Sequence, residues 1–335
     1  MRFVHRYASA STYNEERQNK YLEPWLSYTD ETEEIHFNKA EDEKDDKLLE
    51  IPLTFEIIGD GVIRWACSSA NAMKKTIQYR KNGGTWTNIE PNAFPYAPTI
   101  SVVSGDVIEF KGSWDTYYDA SNQICYFSGT TATFKAKGNI MSLLYCEGGF
   151  AECKVLNNTY TSTFRSLFAG CTGLTDASKL MLPATTLTNY CYDNMFSDCT
   201  GLMYAPKLPA TTLTDNCYAS MFMSCTGLMY APKLPATTLK KYCYANMFSL
   251  CTSLTTAPEL PATTLTQWCY YYMFNGCTNL NYVKCLATDT SARACTAMWL
   301  YNVSSTGTFI KNSSTNWETG YGGIPTGWDV QTASE

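Results

Sequence analysis

The sequence predicts a multidomain chain with an irregular N-terminal arm, an all-β sandwich, and an α/β solenoid closed by a C-terminal cap. Three observations predict it. A unit of 26 residues recurs through the second half and carries cysteines in two columns, Cys171, Cys199, Cys225, Cys251 and Cys277, then Cys191, Cys217, Cys243, Cys269 and Cys295. A fixed period of roughly 20–50 residues signals stacked repeats, each burying its apolar face only against its neighbours. Ahead of the repeats lie short β-prone segments separated by turn residues, and ahead of those a polar stretch without periodicity. The expected boundaries are 1–48 for the arm with its acidic linker, 49–137 for the sandwich, 138–303 for the solenoid and 304–335 for the cap.

The arm is bounded by charge. Between Asp30 and Glu50 there are ten carboxylates against three lysines, the pattern of a solvated linker. Upstream, Tyr21, Trp25 and Tyr28 surround Pro24. An aromatic cluster with no core of its own either docks onto a partner, as a particle anchor, or packs as a tail on the next domain. The N-terminal MRFVHRYASASTYNEER lacks the apolar run of a secretory leader, and no apolar stretch approaches 18 residues, so neither that export route nor a membrane span is expected.

The sandwich is read from Leu53–Ile58, Val62–Ala66, Thr76–Arg80, Thr85–Ile89, Thr99–Val103, Asp106–Lys111, Gln123–Phe127 and Thr131–Ala136 as strands. Gly59-Asp60-Gly61, Asn82-Gly83-Gly84 and Ser104-Gly105-Asp106 supply turns between several of them. Trp65, Trp86 and Trp114 are expected to pack in its core.

One repeat can be followed from Cys199 to Cys225. Leu202–Ala205 reads as a short strand, stopped by Pro206, which cannot donate to a ladder. The recurring LPATTL turns a corner. Cys217, Met221 and Cys225 fall at i, i+4 and i+8, with Tyr218 and Phe222 one residue on, which predicts a two-turn helix. Asp215 and Asn216 are candidate caps, and Gly201, Gly227 and Asn279 suit left-handed helix ends. Strand, corner and helix make a leucine-rich-repeat type of coil. The spacing of 28 between Cys171 and Cys199 predicts a bulge within Ala177–Pro183, and the degenerate last turn with Trp299 marks a cap.

Fifteen cysteines invite a disulfide reading. Stacked turns about 4.8 Å apart hold equivalent side chains parallel, whereas a disulfide needs a crossed dihedral. Five members per column also leave one over. Both columns are therefore expected to be reduced and buried, as small hydrophobes.

The stretch CYDNMFSDCTGLMYAPKLPATTL, with MF-x-x-C-T-x-L recurring from Met195, Met221, Met247 and Met273, resembles the BspA-like 26-residue repeat of bacterial surface proteins. The tail GGIPTGW and the segments GGTWT and SVVSGDVIEFKG resemble neighbours of such repeats. The arm YASASTYNEERQNKYLEPWLSYTDETEEIHFNK resembles segments of Bacteroides and crAss-like phage proteins. The resemblance implies a surface adhesin or a virion fibre.

Catalytic signals are sparse. The two histidines, His5 and His36, both sit in the arm, which disfavours a hydrolytic triad in the folded part. Close cysteine pairs of zinc type, P-loops and dinucleotide fingerprints do not appear. A glycosidase pair is unsupported but open. No catalytic, cofactor or metal residue is assigned, and no cofactor is expected. A net charge of −6 disfavours nucleic acid. What varies between repeats is the strand face: Met203, Tyr204, Lys207, Met229, Tyr230, Lys233, Thr256 and Tyr282. This is a candidate ligand face or plain surface. The expected function is a non-enzymatic phage virion surface protein, a head or tail fibre or decoration, displaying its repeats for host-surface or glycan adhesion. The alternative is a BspA-like bacterial cell-surface adhesin. Expected partners are other virion proteins through the arm and a host surface or glycan, without membrane insertion, in a homo-oligomer that fibre architecture suggests is a trimer. The expected location is the virion surface after assembly in the host cytoplasm, or else the bacterial surface.

Overall fold

The computed structural model describes residues 46–69, 72–118, 124–146, 149–156 and 159–333. The chain divides into two units, Met1–Asp46 and Lys47–Glu335, and every described strand lies in the second. The proposed anchor residues Tyr21, Pro24, Trp25 and Tyr28 lie outside the described residues.

The fold is β-rich, with several sheets. The strands are β1 Leu53–Gly59, β2 Gly61–Arg64, β3 Ala66–Cys67, β4 Ile77–Lys81, β5 Thr87–Ile89, β6 Asn92–Ala93, β7 Thr99–Val102, β8 Val107–Lys111, β9 Cys125–Tyr126 and β10 Thr133–Asn139. After a 3-10 turn at Ile140–Leu143 come β11 Leu174–Met181, β12 Tyr282–Cys285, β13 Thr308–Lys311 and β14 Asp329–Thr332. Six strands form one sheet in the order β11-β10-β1-β8-β4-β5, and smaller sheets are β2-β7, β6-β3-β9 and β12-β13-β14. Alternation sets the faces. Ile108 and Phe110 of β8 point inward, and so do Leu53, Phe55 and Ile57 of β1. Phe127 joins the layers, its ring 5.0 Å from Phe55 and Phe110 and 4.8 Å from Trp65. Of the three tryptophans expected in the core, Trp65 is fully buried, while Trp86 and Trp114 are partly exposed and lie under Arg80, Lys111 and Lys75.

The repeats stack directly on this layer. β10 pairs in parallel with β11, the first strand of the repeat region. Two register shifts fall in that pairing, where β11 advances one residue more than β10 each time. The second shift, between Asp176 and Lys179, falls at the start of the stretch where the 28-residue spacing predicts a bulge.

The expected helix is not there. Between β11 and β12 no α-helix forms, and the α/β description of the repeats is corrected to a ribbon of consecutive turns. In the turn from Asn216 to Cys225, odd-numbered residues donate N–H three residues back, as Ala219 to Asn216 and Met221 to Tyr218. Even-numbered residues donate to the next repeat, as Tyr218 to Cys243, Ser220 to Ala245 and Phe222 to Met247. The carbonyls accept in the complementary pattern, so the backbone groups are satisfied half within a turn and half between turns. Beyond its first turn a helix would spend its N–H groups on its own carbonyls rather than on the next repeat, and one of eight residues is marginal in any case. The ribbon places every fourth residue in the left-handed region: Asn216, Ser220 and Ser224 have φ of 57°, 52° and 59°. Its period is therefore four rather than 3.6, which is what aligns Cys217-Tyr218 with Met221-Phe222 as inward pairs.

Two other local expectations change with it. Leu202–Ala205 contributes only an isolated bridge at Tyr204 rather than a strand. Gly201 and Gly227 do not hold left-handed ends. They let backbones approach across turns, since a Cβ at Gly227 would lie 2.6 Å from the Thr200 carbonyl oxygen.

Inside, equivalent residues stack in ladders. Phe127, Phe168, Phe196, Phe222, Phe248 and Phe274 lie near-parallel at 5.3–5.7 Å. A second ladder runs Tyr117, Phe164, Tyr192, Tyr218, Tyr244, Tyr270, Trp299 and Trp317 at 5.3–6.5 Å. Trp299 donates its indole N–H to Gly323 in the C-terminal segment, where β13 and β14 extend the stack in parallel. Offset parallel rings add about 0.5–1.5 kcal/mol per pair beyond burial.

The ten column cysteines are free and buried. Each first-column thiol donates to a phenylalanine carbonyl of the preceding layer, as Cys225 to Phe196 at 3.0 Å and Cys171 to Phe127 at 2.8 Å. Burial pushes Cys217 and Cys277 up to about 12, and Cys225 and Cys243 well up from the ordinary thiol range. The single disulfide, Cys146–Cys153, lies outside the columns. A thiol reagent is expected to find none of the thirteen free cysteines in the native protein and all thirteen after denaturation. Because Cys67, Cys125 and Cys285 stand outside the columns, four or more equivalents consumed natively would place a column cysteine at the surface.

Candidate functional site

The candidate strand face forms where single bridges link successive repeats. Tyr204 bridges Asp176 on one side and Tyr230 on the other, and Thr256 bridges Tyr282. The Tyr204 and Tyr230 rings stack 6.0 Å apart at 17°. Met203 and Met229 stand beside them, 37% and 44% exposed. Lys207, Lys233 and Thr256 are exposed, while Tyr204, Tyr230 and Tyr282 are half-buried. Leu202 and Leu228, one residue before each methionine, are fully buried, so the register that fills the core sets the Met-Tyr pair at the surface. The arrangement is a ridge of methionine and tyrosine edged by two lysines, suited to contact rather than to proton transfer.

A second feature was not legible from the repeat alone. Tyr118, Ile124, Arg165 and Ser166 line an open cavity of about 350 Å³ at the junction with the first repeat. Arg165 Nε lies 2.9 Å from Asp193 Oδ2, and an Arg165 guanidinium N–H donates to the Tyr118 hydroxyl at 3.3 Å. The guanidinium also lies over the rings of Tyr118 and Tyr190. Burial pushes the Asp193 carboxyl up to about 6, against the downward pull of Arg165. The sequence signal was present: Asp193 stands where later turns have Ala219, Ala245, Tyr271 and Ala297, none of them charged. A single buried acid paired to arginine fixes register better than it moves protons.

Among the described residues, no three histidine, cysteine, aspartate or glutamate side chains are grouped to hold a metal ion. No helix of the described residues is long and apolar enough to cross a membrane. No protein-family model, curated protein or solved structure matches the chain.

Proposed function

We propose that the chain is a non-enzymatic attachment protein of a bacteriophage particle, whose repeats form a leucine-rich-repeat-like solenoid displayed toward the host surface. The observation that carries this reading is the division of labour within each turn. The interior repeats nearly unchanged, as two aromatic ladders and two thiol columns, while the Met-Tyr ridge at Met203-Tyr204 and Met229-Tyr230 leaves apolar side chains in solvent. A surface that exposes such residues without need of them for folding is suited to a partner. Thirteen thiols that must stay reduced until buried favour folding in a reducing cytoplasm, where virion proteins assemble. The arm with Tyr21, Pro24, Trp25 and Tyr28 would attach the chain to the other particle proteins, in an oligomer.

A second reading, a bacterial cell-surface adhesin, is favoured by the Cys146–Cys153 disulfide, a bond that persists in oxidising compartments. Mass spectrometry of purified particles separates the two, because the first reading requires the chain in virions and the second requires it on uninfected cells. On either route, the double variant Tyr204→Ser/Tyr230→Ser is expected to weaken binding to host cells at least tenfold while the chain stays folded, the lost ring pair costing about 0.5–1.5 kcal/mol. Undiminished binding would remove the ridge as the contact surface.

A further inference from the structure

The outer face of the turn ribbon carries a second unusual surface, away from the Met-Tyr ridge in sequence and in column. One turn places Trp268, Tyr271 and Tyr272 outward. The equivalent residues one turn earlier are Tyr242, Ala245 and Asn246, and two turns earlier Asn216, Ala219 and Ser220. The Tyr242 and Trp268 rings stack face to face, 4.7 Å apart at 4°. Tyr271 and Tyr272 meet edge-on at 4.4 Å. Two cations are held against this group: Lys241 Nζ lies 4.9 Å from the Trp268 ring centre and 5.6 Å from that of Tyr242, and Arg293 Cζ lies 5.4 Å from Trp268.

Two further observations mark the place as more than ordinary surface. Tyr242, Trp268 and Tyr272 all occupy left-handed backbone positions, with φ of 56°, 56° and 55°. Glycine or asparagine takes that conformation at low cost and a bulky ring does not, yet these rings are only half-buried, so core packing does not offset the strain. Among the described residues, neither Lys241 nor Arg293 has a carboxylate within 4.0 Å. The nearby Asp215 carboxylate instead accepts the backbone N–H of Lys241 at 3.1 Å. The rings therefore pre-position two charges that no carboxylate among the described residues pairs with, and pre-positioning lowers the ordering cost of binding an anion.

We propose that Lys241, Tyr242, Trp268, Tyr271, Tyr272 and Arg293 bind an acidic glycan, a pyranose chain bearing carboxylate or sulfate groups. Lys241 and Arg293 stand at equivalent positions two turns apart, about 10 Å along the stack at the spacing of paired strands, and both charges reach toward the Trp268 ring between them, so acid groups on neighbouring sugars fall within reach of both. The tyrosines offer hydroxyls and apolar ring surface to the sugar between them. Because the whole chain carries a net charge of −6, general attraction does not draw polyanions to it, and capture must be local. The proposal rests on the adhesive reading above and names the ligand class of that adhesion.

The test immobilises polygalacturonate, dextran sulfate, neutral dextran and polyglutamate, and measures binding of the full chain to each. Binding to at least one of the two acidic polysaccharides is expected, with none to neutral dextran and at least tenfold weaker binding to polyglutamate. Response to polygalacturonate alone or dextran sulfate alone assigns the acid as carboxylate or sulfate. The Lys241→Gln/Arg293→Gln variant is expected to lose at least tenfold in affinity at unchanged melting temperature. The control Lys135→Gln/Lys179→Gln, which removes two exposed cations elsewhere, stays within twofold. Silence toward both acidic polysaccharides, equal binding to polyglutamate, or an unaffected Lys241→Gln/Arg293→Gln variant overturns the site. Host-cell binding by the same variant separates the two readings: cell adhesion lost only in Tyr204→Ser/Tyr230→Ser keeps the adhesive function and removes this site, whereas a wild-type chain that binds no cells removes the adhesive function itself.

Discussion

A chain shortened to residues 138–335 is expected not to fold as a soluble monomer, although it retains every cysteine of the two columns. The reason lies in what covers the first repeat. The Phe168 ring stacks on Phe127 and the Phe164 ring on Tyr117, both contributed by the preceding β layer. Phe127 and Phe134 also donate their N–H groups to Leu167 and Gly173, and Tyr117 donates to Thr163. Phe164, Phe168 and Leu174 are fully buried in the intact chain. Uncovering three such side chains forfeits about 5–9 kcal/mol at about 1.5–3 kcal/mol each, against a total stability of about 5–15 kcal/mol for a folded domain. The truncation also strips β11 of all of β10 but Gly138 and Asn139 and leaves an open parallel edge, a template for association. Size-exclusion chromatography and circular dichroism of the 138–335 fragment check this. A monodisperse fragment melting as sharply as the full chain would show that the repeats close their own end.

The same junction shows what the sequence could and could not disclose. The 26-residue period announces that equivalent side chains will stack, and Phe196, Phe222, Phe248 and Phe274 can be read as a column from their spacing alone. Phe127 and Tyr117 extend the two ladders, but they lie in non-repeating sequence, with no periodic echo to reveal them. The turn ribbon escapes a reading of the sequence for a physical reason. Apolar residues at i, i+4 and i+8 fit a helix loosely and a four-residue ribbon closely, and what distinguishes them is backbone conformation. Asn194, Asn216 and Asn246 hint at left-handed positions, but Tyr242, Leu250 and Trp268, which adopt the same φ, do not. The strand face was legible because Met203-Tyr204 and Met229-Tyr230 give way to Thr255-Thr256 and Asn281-Tyr282 in an otherwise uniform repeat. The aromatic and cationic group around Trp268 was not, because its members come from three successive turns, Lys241 and Tyr242, then Trp268, Tyr271 and Tyr272, then Arg293, so that no single repeat displays the group.

Replacing Phe222 by alanine is expected to cost about 3–5 kcal/mol, the usual range for emptying a large aromatic site in a packed core. The position is informative because Phe222 lies mid-ladder, 5.5 Å from Phe196 and 5.7 Å from Phe248, so alanine removes two ring contacts and leaves a void between intact turns. The backbone has little freedom to collapse into it. Phe222 donates its N–H to Met247, and its carbonyl accepts both the Cys225 N–H and the Cys251 thiol, so the turn stays at its spacing and the cavity persists. Phe222→Leu separates volume from stacking. It restores most of the apolar volume yet still breaks both ring pairs, and should cost about 1–3 kcal/mol, at about 0.5–1.5 kcal/mol per lost pair. Thermal and urea melts of the two variants, with Tyr204→Ser/Tyr230→Ser as a surface reference, measure the difference. If Phe222→Leu is as stable as the parent, the ladder is merely filled space. If it falls midway between parent and alanine variant, ring-on-ring register holds one turn to the next, and the invariance of the interior is the condition that frees the outer faces to vary.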